Sequence, residues 1–525
     1  MNNHLEIVVL ETSDIHGNIF PLNYGSNQTE QVGLAKIASL IKREREEHEH
    51  VLLIDNGDLI QGTPLAYHAI KMASERPNPL IQAANELQYD AAVFGNHEFN
   101  YGTNVLEHII EQANFPWLSA NLLDEKTGEP YFGKPYMIQT VGGVKVGILG
   151  LTTSYIPNWE EPAHITGIQF ADPVETAKQW VTHLREREGA DLLIVSYHGG
   201  FERDPETGEP TEMLTGENKG YELCMEVEGI DVLLTGHQHR QLAGTKINGV
   251  LIVQPGHMGQ TLGKVTLQLE DRNGRWAVVQ KTSELLSVNG VEPDESILKL
   301  ASTYEEATQE WLDTPIGHIE GDMVIRDAVQ TRLQDNPLVE FINRVQMEVT
   351  KVTISNTAIF SNQSPGLPEN VTMRDIVANY IYPNTLKVLR ISGQDMKDAL
   401  ERSAAYFKQY DGGTIEVSPS FLEPKPQHYN YDMWEGIDYI INISKPVGER
   451  IVQLEHAGKP VDMSGEYDVV MNNYRAGGGG DYLMYQNKPV VQEVPTDVSE
   501  LLANYFLEHK TVTATCNHNW KVIHD

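Results

Sequence analysis

Cysteine is nearly absent: Cys224 and Cys516 are the only two in 525 residues. They could form one bridge at most. They sit in unrelated contexts and lack the spacing of a metal knuckle, so they read as free thiols. Basic residues are scarce as well, 39 against 74 acidic, for a net charge of −35. A surface this negative lacks the cationic footprint that duplex nucleic acid requires, so no such partner is expected. It also repels a small phosphorylated substrate unless bound cations reverse the field locally. Long apolar runs are missing: none approaches the roughly 20 residues of a spanning helix, and no membrane partner is expected. A basic leader is missing too. Met1-Asn2-Asn3 runs directly into Leu5-Glu6-Ile7-Val8-Val9-Leu10, which reads as a strand. The chain as written is expected in the cytoplasm, or in the periplasm or outside the cell if a leader has been removed. Nothing points to an obligate protein partner.

The length exceeds what one core organises, and implies two or three domains. In the first half, short apolar runs alternate with amphipathic stretches. Strands are expected at Ile7 to Leu10, Val51 to Ile54, Ala91 to Phe94, Val146 to Leu149, Leu192 to Val195, Val232 to Leu234 and Leu251 to Val253. Helical patterns, such as Gly33 to Glu46 and Asp172 to Glu188, lie between them. That order predicts an α/β layered domain, in which ligands collect beyond the carboxyl ends of the strands.

The residues after those strands carry the chemistry. Leu10 is followed by Thr12-Ser13-Asp14-Ile15-His16-Gly17-Asn18, and Ile54 by Asp55-Asn56-Gly57-Asp58. Phe94 is followed by Gly95-Asn96-His97-Glu98, Val195 by Ser196-Tyr197-His198-Gly199-Gly200, and Leu234 by Thr235-Gly236-His237-Gln238-His239. Any one of these alone is an ordinary polar turn. Together they put Asp, His and Asn side chains at the same end of one predicted sheet, where a single cleft would gather them. Carboxylate, imidazole and amide oxygen suit Mn, Zn, Fe or a related divalent ion, and thiolates are absent from the set. The ligands are too many for one ion with an open position. A carboxylate shared by two ions about 3.5–4 Å apart is the usual solution.

Further on, Val288 to Glu292 reads as a loop before a helix that puts Ile297, Leu300, Tyr304, Ala307 and Trp311 on one face and stops near Pro315 and Gly317. Asp335-Asn336-Pro337-Leu338 opens a helix with Phe341, Ile342 and Val345 inward, and Gly393 to Ala405 forms another. No metal-ligand cluster shows in this part, which is expected to recognise substrate. Two stretches stand out there, Tyr380-Ile381-Tyr382-Pro383-Asn384-Thr385 and Asn472-Asn473-Tyr474-Arg475-Ala476 followed by Gly477 to Gly480 and Asp481. Glycines let backbone approach a ligand closely, and tyrosines can stack on a planar base.

Asp-x-His, Gly-Asp, Gly-Asn-His-Glu, His-Gly and Gly-His-x-His, in this order, resemble the calcineurin-like metallophosphoesterases. The resemblance implies a four-layer α/β/β/α domain over 1–286, a helical linker over 287–316 and a C-terminal α/β substrate-binding domain over 317–525. It implies one ion held by Asp14, His16 and His239, another by Asn96, His198 and His237, and Asp58 bridging them. His97 would stabilise the phosphoryl transition state or protonate the leaving oxygen. With the tyrosine stretches the resemblance extends to the bifunctional 5′-nucleotidase superfamily, whose C-terminal aromatic pair clamps the base. The matching positions are Tyr382 and Tyr474, with Asp481 a polar match beside them, and the two domains would move relative to each other.

Two departures select a branch. Where 5′-nucleotidases pair the catalytic His with an Asp three residues on, this chain has Asn100. Where their signature reads Asn-Gly-Gly-Ile-Arg, this chain has Asn356-Thr357-Ala358-Ile359-Phe360. Both resemble the 2′,3′-cyclic-nucleotide 2′-phosphodiesterase/3′-nucleotidase branch, which implies a nucleotide or cyclic nucleotide as substrate. A 5′-nucleotidase or nucleotide-sugar hydrolase is the alternative. A non-catalytic nucleotide-binding protein is a second, against which the complete ligand set counts.

Overall fold

A computed structural model describes residues 4–525 except Met213, Ile381, Pro383, Pro424 and Pro495. Met1-Asn2-Asn3, and Ile381 and Pro383 of the tyrosine stretch, therefore lie outside the described residues. The chain divides into two compact units. The first comprises the N-terminal residues to Asn23, Asn27–Pro157 and Glu161–Thr308, and the second Tyr24–Ser26, Asn158–Glu160 and Gln309–Asp525.

The first unit is built on two sheets. In one, the order is Trp276–Ser287, Thr261–Asp271, His4–Thr12, Val51–Asp55, Ala91–Val93 and Trp117–Leu118. In the other, Tyr136–Val141 pairs antiparallel with Val144–Thr152, which leads a parallel run through Leu192–His198, Val232–Thr235 and Val250–Pro255. The strands are apolar on both faces because both faces are covered. Ile7, Val9, Leu52 and Ile54 of the first sheet meet Val146, Ile148, Leu192 and Ile194 of the second in one buried cluster. The alternate residues Leu149, Leu151, Leu193 and Val195 face outward against the helices Pro173–His183 and Gly220–Glu226. On the outside of the other sheet, Leu34–Glu47 packs near Thr261–Asp271. The result is α/β/β/α, with every predicted strand present. The five ligand-bearing strand ends come from two facing sheets, not from a single sheet as the sequence suggested.

The helix Glu295–Leu312 buries Ile297, Ala301, Tyr304, Thr308 and Leu312. The expected face was Ile297, Leu300, Tyr304, Ala307 and Trp311. The stripe is rotated because Thr308 turns inward, its hydroxyl satisfied by the Tyr304 carbonyl at 2.7 Å, so an apparently polar position joins the core.

The second unit is mixed α/β. Its five-stranded sheet runs Asp432–Glu435, Ile354–Ala358, Glu466–Asn472, Leu386–Ser392 and Val490–Val494. A four-stranded sheet ends on Trp520–Ile523 beside Asp438–Asn442. The helix Pro337–Thr350 starts as its sequence dictates, with Asn336 accepting from the Val339 N–H and Pro337 in the first turn. Phe341, Ile342 and Val345 face the core, and Ser392 and Asp395 close a capping box on Gly393–Ala404. No described helix is long and apolar enough to cross a membrane.

Candidate metal centre

Parallel pairing in register brings the ligand-bearing strand ends side by side: Thr12 opposes Asp55, Asp55 opposes Ala92, and Tyr197 opposes Thr235. The loops that follow converge. His16 Nε2 and His239 Nε2 approach to 3.0 Å, and Asp14 Oδ1 lies 3.4 Å from His239 Nε2 and 3.8 Å from His16 Nε2. Asn96 Oδ1 lies 2.9 Å from His237 Nδ1 and 3.3 Å from His198 Nε2. Between these groups stands Asp58. A single oxygen, Oδ2, is 3.2 Å from His198 Nε2 and 3.9 Å from His16 Nε2. Its other oxygen accepts the His97 backbone N–H at 2.8 Å.

Three of the imidazoles are aimed by a partner on the far ring nitrogen, as metal-ligating histidines generally are. His16 Nδ1 donates to the Gln61 carbonyl at 3.1 Å and His198 Nδ1 to the Asn56 carbonyl at 2.7 Å. His237 Nε2 meets the Glu217 carboxylate at 2.8 Å, and the His239 ring stacks on His257 with centroids 4.5 Å apart. Glu217 escaped the sequence reading because it lies in an irregular loop, and His257, although it closely follows the strand Val250–Pro255, because its segment matches none of the motifs. Glu98 has a defined task as well. Its carboxylate accepts from the backbone N–H groups of Gly95 (2.6 Å), Asp58 (2.8 Å) and Leu59 (2.8 Å), tying the Asp58 loop to the Asn96 loop. Gly95 is required where they touch, because a Cβ there would run into Asp58.

The backbone is unusual at the candidate ligands themselves. Asp14, His16, Asp58, His237 and His239 have φ of 52°, 48°, 55°, 67° and 57°. Non-glycine residues adopt that left-handed region rarely, and clustering there marks functional loops.

The electrostatics suit cations. Burial, with His239 and His97 nearby, pushes His16 down to about 3, so its ring is a neutral donor. Burial opposes charging His198, but the adjacent Asp58 outweighs it and lifts the ring to about 10. Burial likewise opposes ionising Asp58, yet His198, His97 and His16 hold its carboxyl well below the usual range. Behind the ligands, Glu11 is fully buried and both carboxylate oxygens lack a hydrogen-bond partner. Burial, then Asp14 and Asp55, pushes it well above the usual range. Held neutral in this way, Glu11 adds no charge behind the donors. The nitrogen and oxygen donors converge, and they fit divalent ions.

His97 stands beside these donors. Its Nδ1 lies 2.7 Å from Asn100 Oδ1, which fixes Nδ1 as the protonated nitrogen, and its ring stands edge-on to His16 with centroids 5.2 Å apart.

In the second unit, Tyr382 and Tyr474 do not stand alone. Tyr429 sits edge-on to both, with centroids 6.3 Å from each. It lies in the short 3-10 turn His428–Asn430, which no sequence pattern singled out. The glycine run is held rather than loose: Arg475 donates to the Gly479 and Tyr429 carbonyls and pairs with Asp432 at 2.7 Å. Asp481 pairs with Arg402 at 3.0 Å. Phe360, at the position of the signature arginine, packs edge-on against Tyr380 and Tyr382, with centroids 4.7 and 5.5 Å away.

Fold and donor set together define a metal-dependent phosphoric ester hydrolase. The calcineurin-like phosphoesterase family matches residues 7–241 and the 5′-nucleotidase C-terminal domain matches residues 315–487. The chain belongs to the 5′-nucleotidase superfamily, a calcineurin-like metallophosphoesterase domain followed by a 5′-nucleotidase C-terminal domain. A 2′,3′-cyclic-nucleotide 2′-phosphodiesterase/3′-nucleotidase of Yersinia enterocolitica is 30% identical over 99% of this chain and 88% of its own length. The trifunctional nucleotide phosphoesterase YfkN of Bacillus subtilis is also 30% identical over 99% of this chain, which spans 39% of that longer protein. A Staphylococcus aureus structure provisionally designated a 5′-nucleotidase, in complex with alpha-ketoglutarate, is similar at a TM-score of 0.90 and 36% identity. That match covers 99% of this chain and 100% of the other. Membership of the family implies divalent metal ions.

Proposed function

We propose that the chain hydrolyses nucleoside 2′,3′-cyclic phosphates to 3′-nucleotides, and then 3′-nucleotides to nucleoside and phosphate, at a centre of two divalent ions of the Mn, Zn or Fe type. The observation that carries the two-ion reading is the single Asp58 oxygen facing a donor group on each side. Asp14, His16 and His239 would hold one ion, and Asn96, His198 and His237 the other. The ions supply Lewis acidity that polarises the phosphoryl oxygens and makes water more acidic. The chain's residues do the rest. Glu98, Glu217 and the Gln61 and Asn56 carbonyls fix the donors in place. Asn100 holds the His97 proton on Nδ1 and leaves Nε2 free to carry or deliver a proton at the leaving ribose oxygen.

The 3′ branch is supported by Asn100, by the named relative from Yersinia and by Phe360. With phenylalanine packed beneath the tyrosines, that position supports the rings and offers no guanidinium to a dianionic terminal phosphate. A cyclic diester carries one charge fewer and has less need of one. The 5′-nucleotidase reading is favoured by the Staphylococcus aureus neighbour. Phosphate release from 3′-AMP, 5′-AMP and 2′,3′-cAMP separates the two: turnover of 5′-AMP well above the others would overturn the proposal.

We assign base recognition to Tyr382, Tyr474 and the intervening Tyr429, with Asp481 as a polar neighbour. Stacking of a base on an aromatic ring contributes about 1–3 kcal/mol, so Tyr382→Ala and Tyr429→Ala should each raise KM roughly 5–150-fold with little change in kcat. KM values unchanged for adenine and uracil substrates would remove that residue from the clamp.

A further inference from the structure

The second unit gathers a group of side chains that its sequence order conceals. Asp335, just ahead of the helix Pro337–Thr350, lies against Cys516 and His518, close to the chain's end. Cys516 Sγ donates to Asp335 Oδ2 at 3.1 Å and stands 3.3 Å from His518 Nδ1, while the His518 backbone N–H donates to the same Oδ2 at 2.8 Å. One donor atom from each of the three lies within 4.8 Å of the others. Asp335 is 3% exposed, and its second oxygen, Oδ1, is buried with no hydrogen-bond partner. Glu435, 2% exposed, has an orphaned Oε1 as well. Its Oε2 and Glu340 Oε2 both receive Asn517, through the side chain at 2.8 Å and the backbone at 2.7 Å. Three carboxylates thus surround the Cys-x-His segment, and two of them keep a buried lone pair unanswered.

We propose that Asp335, Cys516 and His518 form a further divalent-metal site in the second unit, fitted to Zn²⁺, with its fourth position open to solvent. Zinc takes carboxylate, thiolate and imidazole together, and three protein ligands plus an open place is a recurrent arrangement. With Zn–S near 2.3 Å and Zn–N or Zn–O near 2.0–2.1 Å, tetrahedral donors stand about 3.5 Å apart. The observed 3.1 and 3.3 Å need to open by only a few tenths of an ångström. Binding requires the thiolate, so the thiol proton now shared with Asp335 leaves for solvent and a sulfur–metal bond takes its place. Cys516 is partly exposed and His518 exposed, so an ion can enter. Once bound, it would tie the start of a core helix to a segment 181 residues away. This revises the expectation that the C-terminal part lacks a metal-ligand cluster.

The test uses the full-length chain, reduced, stripped of metal and reloaded with Co²⁺ alone. A thiolate-to-cobalt charge-transfer band should appear in the wild type and vanish in Cys516→Ser. The phosphoesterase centre cannot produce that band, because its donors include no sulfur. Phosphoesterase activity should be unchanged in the variant. His518→Ala, a solvent-facing change, should weaken the cobalt titration of the band at least tenfold, and it decides the matter if Cys516→Ser fails to fold. Absence of the band in the wild type, its persistence in Cys516→Ser, or an unaltered titration in His518→Ala would each overturn the proposal.

Discussion

His97→Ala is expected to lower kcat by about 10²–10⁴-fold, the usual range for losing a positioned proton donor, while metal content stays at the wild-type value. The separation follows from geometry. What His97 gives Asp58 is its backbone N–H, donated to Oδ1 at 2.8 Å, and an alanine keeps that bond. What the ring gives is an imidazole whose Nδ1 is pinned by Asn100 at 2.7 Å, and an alanine removes it. Metal analysis beside steady-state kinetics checks this. Parallel loss of metal and turnover would make His97 a structural element. Asn100→Asp should leave turnover within reach of wild type, because either side chain presents an oxygen to Nδ1.

Asp58→Asn should be more damaging still, abolishing tight binding of at least one ion and with it nearly all activity. The amide can still accept from the His97 N–H. It then turns an N–H₂ toward His198 and His16, whose nitrogens approach Oδ2 to 3.2 and 3.9 Å, and the shared anionic oxygen is gone. Loss of an outer-shell partner typically costs 10–100-fold in metal affinity, so removal of the shared ligand should exceed roughly 100-fold. Calorimetric titration with Mn²⁺ reads it directly. Two ions bound at wild-type affinity would show that Asp58 does not bridge. Melting of the metal-free proteins, expected to be similar, separates this loss from misfolding.

The convergence of donors at the candidate centre was legible because those residues sit in short local motifs immediately after buried parallel strands. Once the strands are assigned, topology delivers their carboxyl ends to one place. Glu217 and Tyr429 were not legible, since one lies in an irregular loop and the other in an isolated 3-10 turn, neither with any periodicity, whereas His257 stood at a legible strand end, after Val250–Pro255, but in a segment without a motif. Glu98 was read only as part of a motif; its task of accepting four backbone N–H groups shows only when the Asp58 loop is folded over it. The linker helix shows a different limit. Counting apolar side chains selected Leu300, Ala307 and Trp311, whereas a threonine that bonds its own helix can be buried as readily as an alanine. The Asp335, Cys516 and His518 group spans too much sequence for any spacing rule.

The left-handed backbone at Asp14, His16, Asp58, His237 and His239 links the fold to metal supply. Each such residue carries a conformational cost of order 1–3 kcal/mol, and the cost is met most fully when cations draw the donors together. Bound at the proposed centre, metal ions would act on these loops as a folding partner acts on a peptide, selecting one conformation. Chelation should raise hydrogen exchange across residues 12–18, 56–61 and 236–240 while the paired strands behind them stay protected, and uniform exchange with and without metal would contradict it. A cell short of metal would then hold a protein with an intact core and loosened loops, marked for proteolysis by the same geometry that equips it for hydrolysis.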